Sequence, residues 1–376
     1  MSNLEGLIAT LNGIEAGDFE GNDAGRLKLI EATKKLLVRV EAKEERWFDL
    51  PIVFAAVEIL LSLGLWQKWA AADGASKSAG ELCELCTPKC DINLLRHLLK
   101  LLVSVNMIAE TRENQFALTH IWDNDMWKWI ASQAVHRGSS AVNLPLFLAK
   151  TGYKEPHDSI NTNYADHSPG HLNFFDRYVV ELCFYERLGN IQGALADIYD
   201  TDSLIHGADL SDGSVLCVDI GGHHGIDLTR LLDKHPDFPP GSLVLEDLPE
   251  VVSGATNLNE KIKAISHDMF KPQPVKGSRA YYFHAVLHDW SDSAATQILK
   301  NTVEVMKRGY SRDMVLPVAG ATAIQSTMDV EMMSLCSAHE RTGGMWTKVV
   351  ADAGLRIIKI WEDDRGNEGL IEAELA

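Results

Sequence analysis

The chain has 376 residues, 46% of them hydrophobic, which is enough apolar side chain for a large core and for two or three domains. A net charge of −18 leaves no basic footprint for nucleic-acid phosphates, so a DNA- or RNA-binding role is argued against on electrostatic grounds. The six cysteines are too scattered for a disulfide framework, no apolar run reaches the ~18 residues of a membrane span, and acids stand where a signal peptide is basic. The expectation is a soluble cytoplasmic protein with reduced thiols and no membrane partner.

From Asp23 onward, RLKLIEATKKLLVRVEAKEERW spaces Leu29, Leu36, Leu37 and Val40 along one helix face. PIVFAAVEILLSLGLWQKWA is apolar nearly all round and needs burial in a bundle or against a partner chain. SAGELCELC predicts a short helix capped by Ser78, and DINLLRHLLKLLVSVNMI a longer one capped by Asp91. Cys83, Cys86 and Cys90 form a CxxCxxxC cluster; with no fourth ligand at a zinc spacing they read as small helix residues, and no metal is expected. IAETRENQFALT reads as two strands about Glu113 and Asn114. Helix, helix and wing is the winged-helix order. Because Arg96, His97 and Lys100 make no basic stripe, residues 1–120 are read as a winged-helix-like dimerisation domain, counted as all-helical apart from that wing. Residues 121–207, rich in aromatics and broken by LPLFLAKTGYKEP and HSPG, are expected to form a helical linker and the wall of a small-molecule pocket.

Over 208–376 short apolar runs alternate with helical patterns, which predicts an α/β, doubly wound domain closed by a hairpin of LRIIKIW and GLIEAEL. VLCVDIGGHHG opens it with a strand, an acid and a glycine turn. Gly221, Gly222 and Gly225 remove side chains where backbone must approach a ligand, Asp219 precedes them, and Glu246 and Asp247 end the next strand about 20 residues on, where an acid can hold ribose hydroxyls. That spacing does not separate a dinucleotide from S-adenosylmethionine. Further on, SHDMF places Asp268 and a large apolar residue at a strand end, suited to flanking adenine. YYFHAVLHDWSD then ends the next strand in His288 and Asp289, facing the same crevice.

HDMFKPQPVKG, YYFHAVLHDWSD, MKRGYS, DVEMMSL, HERT and AGLRIIKIW follow one another so that the whole chain resembles the fungal and plant class I O-methyltransferases. The resemblance implies a winged-helix dimerisation domain, hence a homodimer, followed by a Rossmann-like domain that binds S-adenosyl-L-methionine. It implies Gly221, Gly222 and Gly225 beside the methionine part, Asp247 on the ribose, and Asp268 and Met269 at the adenine. It makes His288 the catalytic base, with Asp313 and Glu340 orienting that histidine. Met332 and Met333 match a segment lining the acceptor pocket, one of them facing substrate. Phe174, Phe175 and Tyr178 are further pocket-lining candidates and, with Met332 and Met333, favour a flat, largely apolar aromatic or polyketide-type acceptor; His136 and Asp289 are polar substrate-side candidates. Asp289 reads equally as a turn cap, and Glu340 beside Arg341 equally as an ion pair.

Three positions depart from the family. His223 replaces a glycine or small residue and is expected to crowd the methionine end or to set a titrating cation beside a sulfonium. His284 stands where Arg or Lys is common. The fifth strand is about four residues short, at about 3.3 Å per residue, which is expected to displace Asp313. The same fold includes fungal pericyclases, so a second reading has His136, His288 and Asp289 acting by positioning and hydrogen bonding, with the cofactor unreactive or absent. A third is a non-catalytic dimeric binding protein.

Overall fold

The computed structural model describes residues 2–40, 50–72, 74–119, 137–168, 170, 195–211, 213–306, 308–362 and 368–376. His136, Phe174, Phe175 and Tyr178 lie outside them. Among the described residues no helix is long and apolar enough to cross a membrane.

The N-terminal part comprises helices α1 (Ser2–Asn12), α2 (Asp23–Val40), α3 (Leu50–Ser62), α4 (Leu65–Ala70), α5 (Ala79–Leu85) and α6 (Ile92–Ser104). The expectation that it is otherwise helical is corrected by a three-stranded sheet, β1-β3-β2, made of β1 (Lys77–Ser78), β2 (Ile108–Arg112) and β3 (Gln115–Leu118). Asn114, at φ 59°, turns β2 into β3, whose other edge is open to Lys77 and Ser78. Ser78 and Glu81 form a reciprocal capping box, and the Asp91 carboxylate accepts the Asn93 and Leu94 N–H groups, so both predicted starts coincide with satisfied helix termini. The leucine face of α6 then buries Leu95, Leu99 and Leu102 against Trp66 and Trp69. The Cys83 and Cys90 thiols lie 3.8 Å apart, and no group of three ligating side chains with metal geometry occurs among the described residues.

Helices α7 (Ser139–Lys150) and α8 (Asn163–His167) precede α9 (Leu195–Ile198) and α10 (Thr201–Ile205). A seven-stranded sheet follows: β4 (Cys217–Ile220), β5 (Leu243–Asp247), β6 (Ile262–Ser266), β7 (Ala280–His284), β8 (Arg308–Asp313), β11 (Leu355–Glu362) and β12 (Gly369–Leu375), in the order β11-β12-β8-β7-β4-β5-β6. Only β12 runs antiparallel to its neighbours. A separate parallel pair joins β9 (Val315–Leu316) to β10 (Arg341–Thr342). The helices of this part are α11 (Ile226–Lys234), α12 (Pro249–Gly254), α13 (Asp292–Val303), α14 (Ala323–Cys336) and α15 (Gly343–Asp352). Side chains of α13 and α15 cover one sheet face and those of α9, α10 and α11 the other, which is why the parallel strands are apolar runs without alternation. Strand order reverses between β4 and β7, and the carboxyl ends there define the crevice.

The expected displacement of Asp313 is not found. Asp313 closes β8 in register, opposite Gly369 on β12, while Arg312 pairs with His284 on β7. Partners on both sides fix the register, and the chain continues at once into β9, so strand length alone was a poor guide.

Candidate active site

At the tip of β4 the Gly221 and Gly222 N–H groups donate to the Glu246 carbonyl at 2.8 and 3.2 Å. A Cβ on Gly222 would fall 2.4 Å from Asp219 Oδ2 and 2.6 Å from Leu245 Cδ1, and one on Gly225 2.6 Å from Leu258 Cδ1. Glycine is therefore a packing requirement here as well as a conformational one at Gly221 and Gly225, whose φ values are 73° and 74°. The Asp247 carboxylate is aimed by two main-chain donors, the His223 N–H at 2.8 Å and the Leu248 N–H at 2.7 Å. Burial pushes the Asp247 pKa up, and those two donors oppose it.

His223 adopts φ 53°, and its ring lies 4.0 Å, centre to centre, from that of His224. Burial, then the neighbouring His224, depresses its pKa to about 4. The ring is therefore neutral at physiological pH, and the expected cation beside a sulfonium is corrected: a desolvated imidazole does not hold its proton. Asp219, 1% exposed, keeps Oδ1 without a partner, and Glu246, fully buried, keeps Oε1 so while Oε2 accepts from Gln273 Nε2 at 2.8 Å. Burial first, then the Asp227, Asp247 and Glu246 carboxylates, raise the Asp219 pKa well above its usual value. A bare glycine turn beside carboxyl oxygens that lack donors fits a nucleoside cofactor carrying hydroxyl and ammonium donors.

Beyond β6, Asp268 accepts the Phe270 N–H at 2.9 Å, and Met269 packs on the sheet core with its carbonyl held by Asn301 Nδ2 at 3.0 Å. Phe270 meets Trp290 edge to face, centroids 4.8 Å apart. That contact, which was not singled out in the sequence, joins the segment of Asp268 to the turn of His288. His284 occupies the Arg/Lys position as a buried partner of Asp227 at 2.7 Å; Asp227 also accepts the Tyr282 hydroxyl and the Leu195 N–H, both at 3.1 Å.

Ala285, at φ 50°, turns the chain out of β7 into a single 3-10 turn, Leu287–Asp289, that presents His288. Its Nδ1 lies 2.8 Å from Glu340 Oε1, and Asp289 Oδ1 lies 3.6 Å from its Nε2. Asp313 meets the main chain of His288 and not its ring: the His288 N–H donates to Asp313 Oδ1 at 3.3 Å, and the Ser311 hydroxyl donates to Oδ2. The alternative of a Glu340–Arg341 ion pair is corrected as well, since Arg341 turns away to Asp292 and two carbonyls. Burial disfavours the imidazolium, yet the Glu340 and Asp289 carboxylates outweigh it and raise the His288 pKa well above its usual value. Burial pushes Asp289 up to about 7 and Asp313 up to about 6.

Helices α7 and α8 dock on α14 through the buried Asn163, whose Nδ2 donates to the Ser140 carbonyl at 2.9 Å and to Ser334 Oγ at 2.8 Å. Met332 packs with Tyr164, Leu335 and Cys336 in a small core; Met333 is half-buried.

The strand order and the glycine turn define a class I, Rossmann-like α/β protein. Residues 192–356 match the model of the O-methyltransferase domain. O-methyltransferase ATR12 of Stachybotrys chlorohalonatus is 38% identical over 397 residues, spanning 100% of this chain and 99% of its own, and O-methyltransferase mfmE of Annulohypoxylon moriforme is 32% identical over 100% and 96%. The chain belongs to the O-methyltransferase family, whose cofactor is S-adenosylmethionine. Among solved structures, LepI in complex with SAM superimposes with a TM-score of 0.84 at 24% identity, covering 100% of this chain and 98% of that one. OxaC does so at 0.81 and 22% with the same coverage, and a structure described as a pericyclic reaction enzyme at 0.83 and 24%, covering 100% and 99%.

Proposed function

We propose that the protein O-methylates a phenol or enol of a small aromatic or polyketide-type acceptor, with His288 as base and Glu340 as the group that orients it. The observation that carries this is the 2.8 Å contact from Glu340 to Nδ1, which leaves Nε2, 3.6 Å from Asp289 Oδ1, as the ring nitrogen to take the acceptor proton. The cofactor, when bound, supplies an electrophilic methyl group on a sulfonium. Asp313 fixes the backbone of the base, and Gly221, Gly222, Gly225, Asp247, Asp268 and Met269 form the cofactor side. Asp289 and Met333, with the described helices α7 and α8, form the acceptor side. Most of the acceleration comes from holding the two reacting atoms together.

The N-terminal domain, of winged-helix type, is read as the dimerisation module of a cytoplasmic homodimer. Leu4, Leu7, Ile8 and Leu11 lie at helical spacing along α1, all of them 38% exposed or more, and a second copy would cover them.

The raised pKa of His288 favours a second reading, a pericyclase in which an imidazolium donates a hydrogen bond to a substrate carbonyl. Incubation with S-adenosylmethionine and a panel of phenols and enols separates the two. Release of S-adenosylhomocysteine with a gain of one methyl in product mass is expected; an isomer of unchanged mass would transfer the assignment to the pericyclase.

A further inference from the structure

We propose that Arg341 is the positioning residue of the site, gripping the turn that carries His288 by the two carbonyls that bracket it. The guanidinium is fully buried; Nη1 donates to the Leu287 carbonyl at 2.8 Å, Nη2 to the Trp290 carbonyl at 2.6 Å, and Nε to Asp292 Oδ1 at 2.8 Å. It also lies 5.0 Å over the Trp346 ring.

Leu287 and Trp290 stand on either side of His288 and Asp289; within the turn the Leu287 carbonyl accepts a long bond of 3.4 Å from the Trp290 N–H, and the guanidinium gives it a shorter one. One planar cation spanning both ends of the turn fixes its orientation in a way that a point charge on a flexible stem does not. Asp292 does not explain the burial, because its side chain is 43% exposed and an ion pair at such a site contributes little. What the fold gains by enclosing Arg341 is the hold on the two carbonyls.

Its position in the chain supports this. Neighbours in extended backbone point to opposite sides, so Glu340 reaches the ring of His288 while Arg341 reaches its backbone. The Glu340 N–H is itself tied to Asp329 Oδ1 at 3.0 Å, and Arg341 begins the short strand β10. Through the Trp290 carbonyl the grip extends to the Phe270 contact, and so to the segment of Asp268 and Met269.

The kinetic arm of the test rests on the methyl-transfer reading; a titration arm does not. In Arg341→Met, kcat is expected to fall about 100-fold, the effect of a misplacement of about 1 Å, with the dissociation constant for S-adenosylmethionine within about threefold of the unaltered protein. Arg341→Lys, which keeps the charge and is the safer variant for folding, is expected to lose about tenfold. The His288 imidazole, identified in NMR spectra by its absence in His288→Gln, is titrated in both. Losing a nearby cation would by itself raise its pKa, whereas loosening it from Glu340 lowers it toward the ordinary value, so a downward shift is the expected sign. A lowered melting temperature with kcat and the His288 titration unchanged overturns the proposal, as does an upward shift in Arg341→Met. If the unaltered protein releases no S-adenosylhomocysteine with any acceptor, the methyl-transfer reading fails separately, and the direction of the titration shift decides the role of Arg341.

Discussion

Three carboxyls, from Asp289, Asp313 and Glu340, face the imidazole of His288 or its main chain in a buried site, and the protons they share set which chemistry is open at a given pH. The His288 pKa is raised above its usual 6.5, so the neutral base that methyl transfer requires is populated only as pH rises through that higher value. The rate of methyl transfer is therefore expected to climb through an alkaline-shifted limb, while a reaction needing the imidazolium as donor would decline through the same limb. Glu340→Gln removes the largest raising influence: the limb should move toward lower pH and kcat should fall by a factor of about 10²–10⁴, as measured in a pH–rate profile. A limb that stays in place would remove Glu340 from its role. His223→Gly tests the glycine turn. It relieves a left-handed backbone at a site where a non-glycine residue costs about 1–2 kcal/mol, and it removes the ring, so tighter cofactor binding by calorimetry is expected. Weaker binding would mean that the His223 ring is part of the cofactor site, and unchanged binding that it neither crowds nor contacts the cofactor.

At the scale of elements, Asp227 at the start of α11 ties together β7 through His284 and Tyr282, and α9 through the Leu195 N–H. Removing one partner of a buried pair leaves the other uncompensated, so His284→Ala is expected to cost about 3–5 kcal/mol in denaturant unfolding, whereas His284→Arg should be tolerated. The pair also gives stability a pH window. His284 has a raised folded pKa, because the Asp227 carboxylate outweighs its burial, so its contribution is complete below the ordinary 6.5 and is lost as pH rises through the folded value. Asp227 has a lowered one, with His284 again outweighing burial, so its contribution is present above 3.8 and is lost as pH falls through the folded value. Melting temperatures of His284→Ala against the unaltered protein should converge at both extremes; a constant difference would count against the pair.

This scale also shows what the sequence disclosed. Caps, strands and the glycine turn are written in local residue chemistry, and Ser78, Asp91 and the 243–247 and 262–266 strands coincide with the structure. Position across the sheet is not: the place of Asp313 depends on the register of β8 with β7 and β12, distant in the chain. The sequence offers Arg341 only Glu340 as a neighbouring partner, since two of its three acceptors are main-chain carbonyls that carry no sequence signal. The clue available was that adjacent residues in extended backbone face apart. The fate of His223 depended on desolvation, which no motif records.

For the whole molecule, the open question is what covers α1. Its stripe of Leu4, Leu7, Ile8 and Leu11 repeats at the spacing of one helical face, and burying a leucine or isoleucine side chain fully is worth about 1.5–3 kcal/mol. The four are 38–62% exposed, so about half of that remains to be gained at each, and eight such side chains from two chains supply about 6–12 kcal/mol, comparable with the rigid-body and side-chain ordering costs of association. Light scattering of the full chain is therefore expected to give the mass of two copies. Leu7→Asp combined with Ile8→Asp, which places carboxylates within that stripe and touches nothing in the crevice, should give the mass of one copy with cofactor affinity unchanged. A double variant that still sediments as two copies would move the dimer contact elsewhere, and an unaltered protein that runs as a single chain would remove it altogether.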